Sequence, residues 1–145
     1  MPHTNRFQAG LLGLGPLIQV YFGHAQSLRQ ILFPFDNNNP HELSTTALID
    51  TGASHTVVNY GLLTPLDLKP IGSATVMTAG NVVSSSVFSV ILTIPLGEVM
   101  FNMPLQVCEA ELHGQEHFDC LLGRDVLNKA VFNYNGAADS FSLSF

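Results

Sequence analysis

The sequence predicts an all-β fold with one short helix near its C-terminus. Apolar stretches of strand length alternate with turn residues along most of the chain, which is the pattern of an all-β domain. Near the end, the dipeptide Asn135-Gly136 is a strong hairpin turn signal. The residues at 141–145 then alternate apolar and polar side chains with the period of two that a half-buried strand requires.

The other elements follow from the same patterns. Residues 36–40 and 109–117 are polar and predict loops, residues 78–81 predict a hairpin tip, and residues 124–129 are the helix candidate. No internal repeat is visible. Strands are predicted at residues 17–22, 30–35, 45–49, 74–77, 82–89, 87–94, 99–107, 131–134 and 141–145.

Length and composition indicate one domain, residues 1–145, with enough apolar side chains for a core. The chain has 145 residues, of which 46% are hydrophobic, and a net charge of −6. A chain with a net negative charge does not attract nucleic acid or an anionic membrane, so neither is expected as a partner. Residues 1–14 precede the first predicted strand and are a candidate flexible N-terminal arm.

The cysteines and the N-terminal segment bear on the compartment. Cys108 and Cys120 are too few for a disulfide framework and fit a reducing, cytoplasmic location, although one bridge between them stays open. The alternative is that residues 1–25 are a secretory signal peptide, which would make the protein secreted or periplasmic. Gly13 and Pro16 interrupt the apolar run that such a peptide needs.

The most informative short motif is Asp-Thr-Gly at residues 50–52. It follows an apolar run at residues 47–49, so the carboxylate of Asp50 lies on a tight turn at the end of a strand. A carboxylate placed there needs hydrogen bonds to its lone pairs, and Gly52 lets backbone amides approach it closely. By itself the tripeptide is weak evidence, because many strand-to-turn junctions have this composition.

A second motif, Leu-Leu-Gly-Arg-Asp at residues 121–125, is another apolar strand that ends in glycine. The two motifs, with Thr56 and Val57 after the first and a segment around Gly80 between them, resemble the retropepsins, the single-domain retroviral-type aspartic proteases. The resemblance covers residues 15–145. It implies a closed β-barrel of the acid protease fold, a homodimer, and an aspartic endopeptidase that hydrolyses peptide bonds.

The resemblance also implies roles for individual residues. Asp50 is the implied catalytic residue, with Thr51, Gly52 and Arg124 as active-site support. Residues 77–81 would form a flap that closes on an extended peptide or protein substrate. Neither a metal nor a cofactor is implied. The implied substrate-binding residues are Leu48, Ala53, Val57, Met77, Thr78, Ala79, Gly80 and Leu121.

The chemistry predicts a site shared between two chains. Two neighbouring carboxylates can share one proton, so that one activates water while the other polarises the scissile carbonyl. Because this chain has one Asp-Thr-Gly turn, the second Asp50 must come from a second copy, on the axis of a two-fold homodimer. The strand at 141–145 could pair with that copy, as the resemblance implies, or pack on its own domain.

Three features depart from the viral pattern and are closer to cellular and bacterial members. Ser54 and His55 stand where viral enzymes often carry two acidic residues. Arg124 therefore lacks its usual partner, which leaves Asp125, Asp119 or a group of the second subunit. The flap tip has a single glycine, and an insertion precedes residue 45.

Two other functions stay open at this point. An inactive retropepsin-like dimer that only binds peptides would carry the same motifs. The other alternative is a zinc-binding domain, although the spacing of its ligands fits no standard zinc finger. Those candidate zinc ligands are Cys108, His113, His117 and Cys120.

Overall fold

The computed structural model describes residues 4–8, 10–24, 42–78, 80–112 and 117–145, so the strand predicted at 30–35 and the loop at 36–40 lie outside the described residues. Strands dominate this part of the chain, and its helices are single turns. The elements are β1 (Thr4–Gln8), α1 (Leu11–Leu14), β2 (Leu17–His24), β3 (Glu42–Ile49), β4 (Val57–Asn59), a 3₁₀ helix (Thr64–Leu66), β5 (Gly72–Thr78), β6 (Asn81–Leu96), β7 (Val99–Ala110), β8 (Cys120–Leu122), α2 (Arg124–Leu127), β9 (Val131–Asn135) and β10 (Ser140–Ser144).

Within the described residues, six strands form a closed barrel. Their order is β2-β3-β8-β4-β7-β6, and β6 pairs again with β2 to close the ring. The 16 residues of β6 make this closure feasible, because its second half lies between two neighbours. There, Leu92 is opposite Phe22 on one side and Met103 on the other. The first half of β6 leaves the barrel and forms a hairpin with β5.

The barrel core is filled by one face of each strand. In β7, Met103, Leu105 and Val107 are buried, whereas Pro104 and Gln106 between them are exposed. This alternation is the period of two that places successive side chains on opposite faces. Full burial of a large apolar side chain contributes about 1.5–3 kcal/mol. The largest fully buried side chains are Phe22, Phe141, Leu63, Leu92, Ile94, Leu122 and Leu143.

The two ends of the chain form a second sheet, which in the described residues has the order β1-β10-β9. β10 is its central strand, with β1 on one edge and β9 on the other. Phe141 and Leu143 of β10 are 1% and 0% exposed, and the ring of Phe7 stacks on Phe141 with centroids 4.8 Å apart. Of the two alternatives for the C-terminal strand, packing on its own chain is the one that the structure shows.

The candidate N-terminal arm contains regular structure. Thr4–Gln8 pair with β10 along their whole length, and α1 follows with Leu11 buried. The amide of Leu11 donates to Oδ1 of Asp139 at 2.8 Å, which ties α1 to the turn between β9 and β10. Asp139 has a left-handed backbone, with φ of 49°. It is the last residue of the turn that begins at Asn135-Gly136, and β10 starts directly after it with Ser140 opposite Asn135.

Most predicted elements are confirmed with shifted ends. The strands predicted at 82–89 and 87–94 are a single strand, β6, because the chain does not turn between them. The loop predicted at 109–117 is wrong at its start, since β7 continues to Ala110, whose carbonyl accepts the amide of Tyr60 at 3.1 Å. The helix predicted at 124–129 ends at Leu127. None of the helices in the described ranges has the length and apolar character needed to cross a membrane.

Candidate active site

Asp50 lies on the turn that directly follows β3. Its amide donates to the carbonyl of Leu122 on β8 at 3.0 Å, so the parallel pairing of β3 and β8 continues into the turn. The side chain is half-buried, and its Oδ1 accepts a hydrogen bond from the amide of Gly52 at 2.8 Å. A Cβ at Gly52 would lie 3.1 Å from that oxygen, so a larger residue would crowd the carboxylate. With Thr51 and Gly52 exposed, the turn presents Asp50 near the surface.

Arg124, predicted as active-site support, holds this turn through the main chain. Its Nη1 donates to the carbonyl of Thr51 at 2.7 Å, and its amide donates to the carbonyl of Ala53 at 2.9 Å. The partner that the sequence could not identify is therefore a backbone carbonyl of the Asp50 turn. A charged donor on a carbonyl makes a stronger hydrogen bond than a neutral one, so Arg124 restrains the turn on its exposed side.

Thr56 and Asp125 form a second anchor of the turn, and neither residue was predicted to belong to the site. Thr56 is 0% exposed, and its Oγ1 donates to Oδ1 of Asp125 at 2.7 Å. The amide of Thr56 donates to Oδ2 of the same carboxylate at 2.9 Å, and the amide of Val126 donates to Oδ1 at 3.0 Å. Hydrogen bonds to a charged group contribute about 1.5–3 kcal/mol each, so Asp125 fixes the end of the Asp50 turn firmly.

Gly123 lets the two motifs pack directly against each other. A Cβ at this position would lie 2.6 Å from the carbonyl carbon of His55 and 2.7 Å from its oxygen. The amide of Gly123 also donates to Oγ1 of Thr56 at 3.1 Å. The glycine of the second motif is thus required by close backbone approach, because every other side chain begins with a Cβ.

Three of the predicted substrate-binding residues form one row across neighbouring strands. Leu48 on β3 is opposite Leu121 on β8, and Leu121 is opposite Val57 on β4. All three are half-buried, whereas the residue that follows each of them is buried in the core. Residues in register share a face of the sheet, so these three form an apolar strip that begins two residues before Asp50. Cys108, opposite Val57 on β7, extends the strip and was not predicted.

The predicted flap residues lie apart from this strip, at the end of the β5–β6 hairpin. Met77 is opposite Val82, and the two side chains are 82% and 66% exposed. Gly80 has φ of 84°, a left-handed conformation that favours glycine at the tip. Met77 is five residues beyond Gly72, where the hairpin leaves the barrel, which corresponds to about 17 Å of extended chain. The side chain of Thr78 and all of Ala79 lie outside the described residues.

The two cysteines lie on opposite faces of one sheet. Cys108 is opposite Val57 on one side of β4, and Cys120 is opposite Val58 on the other. Two strand spacings separate their backbones by about 10 Å. This separation exceeds the about 7 Å that a disulfide spans, and the thiols point apart. The same geometry keeps them from sharing a zinc ion. No group of three or more metal-binding side chains occurs among the described residues, from which His113 is excluded.

Both thiols are poor nucleophiles. Burial, followed by the negative charge of Asp125, raises the pKa of Cys108 above its ordinary value. Burial has the same effect on Cys120, and the charges of Asp125 and Asp119 raise its pKa further. Because the thiolate is the reactive form, neither cysteine is suited to covalent catalysis.

Comparison with known proteins agrees with this geometry. The family model described as aspartyl protease matches residues 37–126, which is more than half of the chain. A retropepsin-like aspartic protease from Rickettsia conorii superposes with a TM-score of 0.59 at 16% identity, over 100% of this chain and 94% of the other. At this identity the likeness concerns the fold alone. No curated protein matches the sequence.

Two viral structures are more distant. The foamy viral protease–reverse transcriptase, in complex with an RNA/DNA hybrid, has a TM-score of 0.47 at 17% identity, over 79% of this chain and 12% of that one. The EIAV protease, complexed with the inhibitor HBY-793, has a TM-score of 0.40 at 19% identity, over 79% and 86%. On the family match and the barrel together, the chain belongs to the aspartyl protease family and has a retropepsin-like fold.

Proposed function

We propose that this protein is an aspartic endopeptidase whose catalytic pair consists of Asp50 and the Asp50 of a second copy. The observation that carries the proposal is the Asp50 turn itself. Its carboxylate is near the surface and is oriented by the amide of Gly52. The backbone around it is fixed by the Leu-Leu-Gly-Arg-Asp segment. A half-buried carboxylate on a rigid turn, in a chain of this family, is half of a two-carboxylate site.

The reaction uses the proton that the two carboxylates share. The ionised Asp50 removes a proton from a water molecule, and the water oxygen attacks the carbonyl carbon of the scissile peptide bond. The protonated Asp50 of the other copy gives its proton to the carbonyl oxygen. The tetrahedral intermediate then collapses and the carbon–nitrogen bond breaks. The amine leaves with the proton that the first Asp50 took from water, and one hydroxyl of the intermediate returns its proton to the Asp50 of the other copy, so the pair again holds one proton. Thr51 and Gly52 support this chemistry as the immediate neighbours of the carboxylate.

An extended peptide or protein segment is the substrate that the surroundings of Asp50 favour. The strip of Leu48, Leu121 and Val57 offers apolar contact beside the carboxylate. The hairpin with Met77 and Gly80 at its end would fold over the substrate as a flap and pair with its backbone. The exposed apolar side chain of Met77 near the tip fits this role. Its exposure to water does not stabilise the hairpin, whereas contact with a bound substrate would bury it.

The second copy needs an apolar surface beside the Asp50 turn, and α1 supplies one. Leu12 is fully exposed and Leu14 is 43% exposed. The carbonyl of Pro16, which follows α1, accepts the amide of Ile49 at 3.0 Å, so α1 lies next to the residue before Asp50. We therefore assign α1, rather than the buried C-terminal strand, to the surface that a second copy covers.

The test is hydrolysis of a mixed peptide library by the wild type and by Asp50→Asn. An amide can neither act as base nor share the proton, so the variant should lose turnover while keeping the wild-type melting profile. Asp67→Asn is the matched control, since Asp67 is exposed with a left-handed backbone that Asn tolerates. Turnover by Asp50→Asn at the wild-type rate would remove Asp50 from the mechanism. Peptide binding by the wild type without any hydrolysis would instead favour the inactive peptide-binding module.

A further inference from the structure

The hairpin of β5 and β6 has one buried side chain near its base. From Gly72 to Ser86, the side chains that the structure describes are exposed or half-buried with one exception, Ser85, which is 3% exposed. Its neighbours Ser84 and Ser86 carry the same side chain and are exposed and half-buried. The hydroxyl of Ser85 is buried although the described apolar side chains of the hairpin are not. A buried hydroxyl needs a hydrogen-bond partner, so a specific partner is expected.

That partner is the barrel. The pairing of β6 with β7 ends at Val87, which is opposite Cys108, so the next residue of β7, Glu109, has no backbone partner on β6 in the ladder. The amide of Cys108 and the carbonyl of Ala110 are both used by the β4 side. Alternation along the strand therefore turns the carbonyl of Glu109 toward β6. The Oγ of Ser85 donates to this carbonyl, and the carbonyl of Ser86 lies 3.3 Å away as a weaker acceptor.

The bond also connects the hairpin to the strand that leaves the Asp50 turn. Glu109 is opposite Val58 on β4, and β4 begins directly after Thr56. The hydroxyl of Ser85 therefore extends the β6–β7 pairing by one step at the place where the hairpin leaves the barrel. Without it, the next fixed point of the hairpin is Val87.

We propose that Ser85 is a positioning residue that sets the angle of the hairpin over the substrate strip and limits its opening. This role rests on the proposed function, because it acts by way of a hairpin that binds substrate. Ser85 does not touch the reacting atoms. Its loss should therefore weaken substrate binding and leave the chemical step almost unchanged.

The test compares Ser85→Ala with Ser84→Ala, which makes the same chemical change one residue away on the exposed face. Amide hydrogen exchange of residues 74–84 should become about tenfold faster in Ser85→Ala, as expected for one buried hydrogen bond, and should stay unchanged in Ser84→Ala. In peptide hydrolysis, Ser85→Ala should raise KM by about fivefold to tenfold with kcat changed less than about twofold. Equal exchange in the two variants, or a fall in kcat at unchanged KM, would overturn the proposal.

Two further arms keep the outcome unambiguous. Hydrogen exchange is also measured in the Asp50→Asn background, where no catalysis is needed. Suppose that Ser85→Ala accelerates exchange in this background but the wild type hydrolyses no peptide. That result would support the contact of Ser85 with the barrel and would contradict the proposed protease activity. If Ser85→Ala does not fold, Ser85→Cys keeps a small side chain with a weak donor, and an intermediate increase in exchange is expected. Exchange at the wild-type rate in a folded Ser85→Cys would count against the positioning role of Ser85.

Discussion

The Asp50 turn and the β5–β6 hairpin are held by opposite means. Six hydrogen bonds join residues 50–56 to residues 122–125, and three of them end on the side chains of Thr56 or Asp125. The hairpin pairs with itself and is tied to the barrel near its base by the hydroxyl of Ser85. Few buried contacts mark a segment that opens locally, whereas a dense polar network marks one that does not.

The difference fits the two tasks of the proposed site. A carboxylate that activates water must be held near its productive geometry before substrate arrives, because misplacement of about 1 Å costs rate. A segment that covers the substrate must open to admit it and to release product. The same barrel therefore supports one rigid and one yielding element, and substitutions matched between them should have unequal effects.

The largest effect is expected from Gly123→Ala. The new Cβ would meet the backbone of His55 at 2.6 Å, and backbone cannot move aside as a flexible side chain can. We expect a loss of about 3 kcal/mol or more in the free energy of unfolding, with loss of peptide hydrolysis. Gly72→Ala in the hairpin is the control, because a Cβ there meets nothing within 4 Å. Chemical denaturation measures both, and equal stabilities would contradict the close packing of the two motifs.

A smaller loss is expected from Thr56→Val. The replacement keeps the shape of the side chain but removes the donor to Asp125 and the acceptor of the Gly123 amide. The buried amide of Gly123 and the half-buried carboxylate of Asp125 each lose a partner, so the free energy of unfolding should fall by about 2 kcal/mol. Thr75→Val makes the same change at an exposed hairpin position and should stay within about 0.5 kcal/mol of the wild type. Similar values for the two variants would mean that the network does not hold the turn.

The smallest expected effect is a dependence of stability on pH that comes from the buried thiol of Cys120, next to the Asp50 turn. Cys120 precedes Leu121 on β8, and burial raises the pKa of its thiol above the ordinary value of 9.0. The thiol stays neutral in the folded state but ionises in the unfolded state, so stability is full below pH 9 and falls as the pH rises above it. For one thiol the loss is about 1 kcal/mol between pH 9 and pH 10.

Denaturation curves across this range check the sign of the effect. Cys120→Ala should be less stable at neutral pH because it leaves a cavity, but its stability should fall less steeply with pH. Ser84→Cys places a thiol on the exposed face of the hairpin and should leave the slope of the wild type unchanged. A steeper alkaline loss in Cys120→Ala than in the wild type would contradict a neutral buried thiol.

The sequence contained much of this fold, because apolar periodicity and turn residues are local signals. It located the strand before Asp50, the hairpin around Gly80 and the start of α2 at Arg124. It did not reveal β1, since Thr4–Gln8 contain a single apolar residue and form a strand because the edge of β10 is available. Pairing depends on which strand edges are available and not on local composition alone. The pattern at 141–145 therefore could not distinguish pairing within the chain from pairing with a second copy.

The parts of the candidate site that lie in a sequence motif could be predicted. The parts that depend on the register between strands could not. Asp50 and Arg124 are predicted from their motifs. The contact of Thr56 with Asp125 joins residues 69 positions apart. The addition of Cys108 to the strip of Leu48, Leu121 and Val57 depends on how β4 and β7 align. Nothing in local composition specifies such alignments, since shifting a strand by one residue moves every side chain to the other face.

The central claim, a site completed by two chains, is tested most directly by mixing subunits. Wild type and Asp50→Asn are combined in equal amounts, allowed to exchange, and assayed for peptide hydrolysis at constant total protein. If both Asp50 carboxylates are needed, only wild-type pairs are active, and the mixture should show about one quarter of the wild-type activity. A mixture with Asp67→Asn should retain full activity. An activity of about one half, the value for independent sites in single chains, would contradict the shared site.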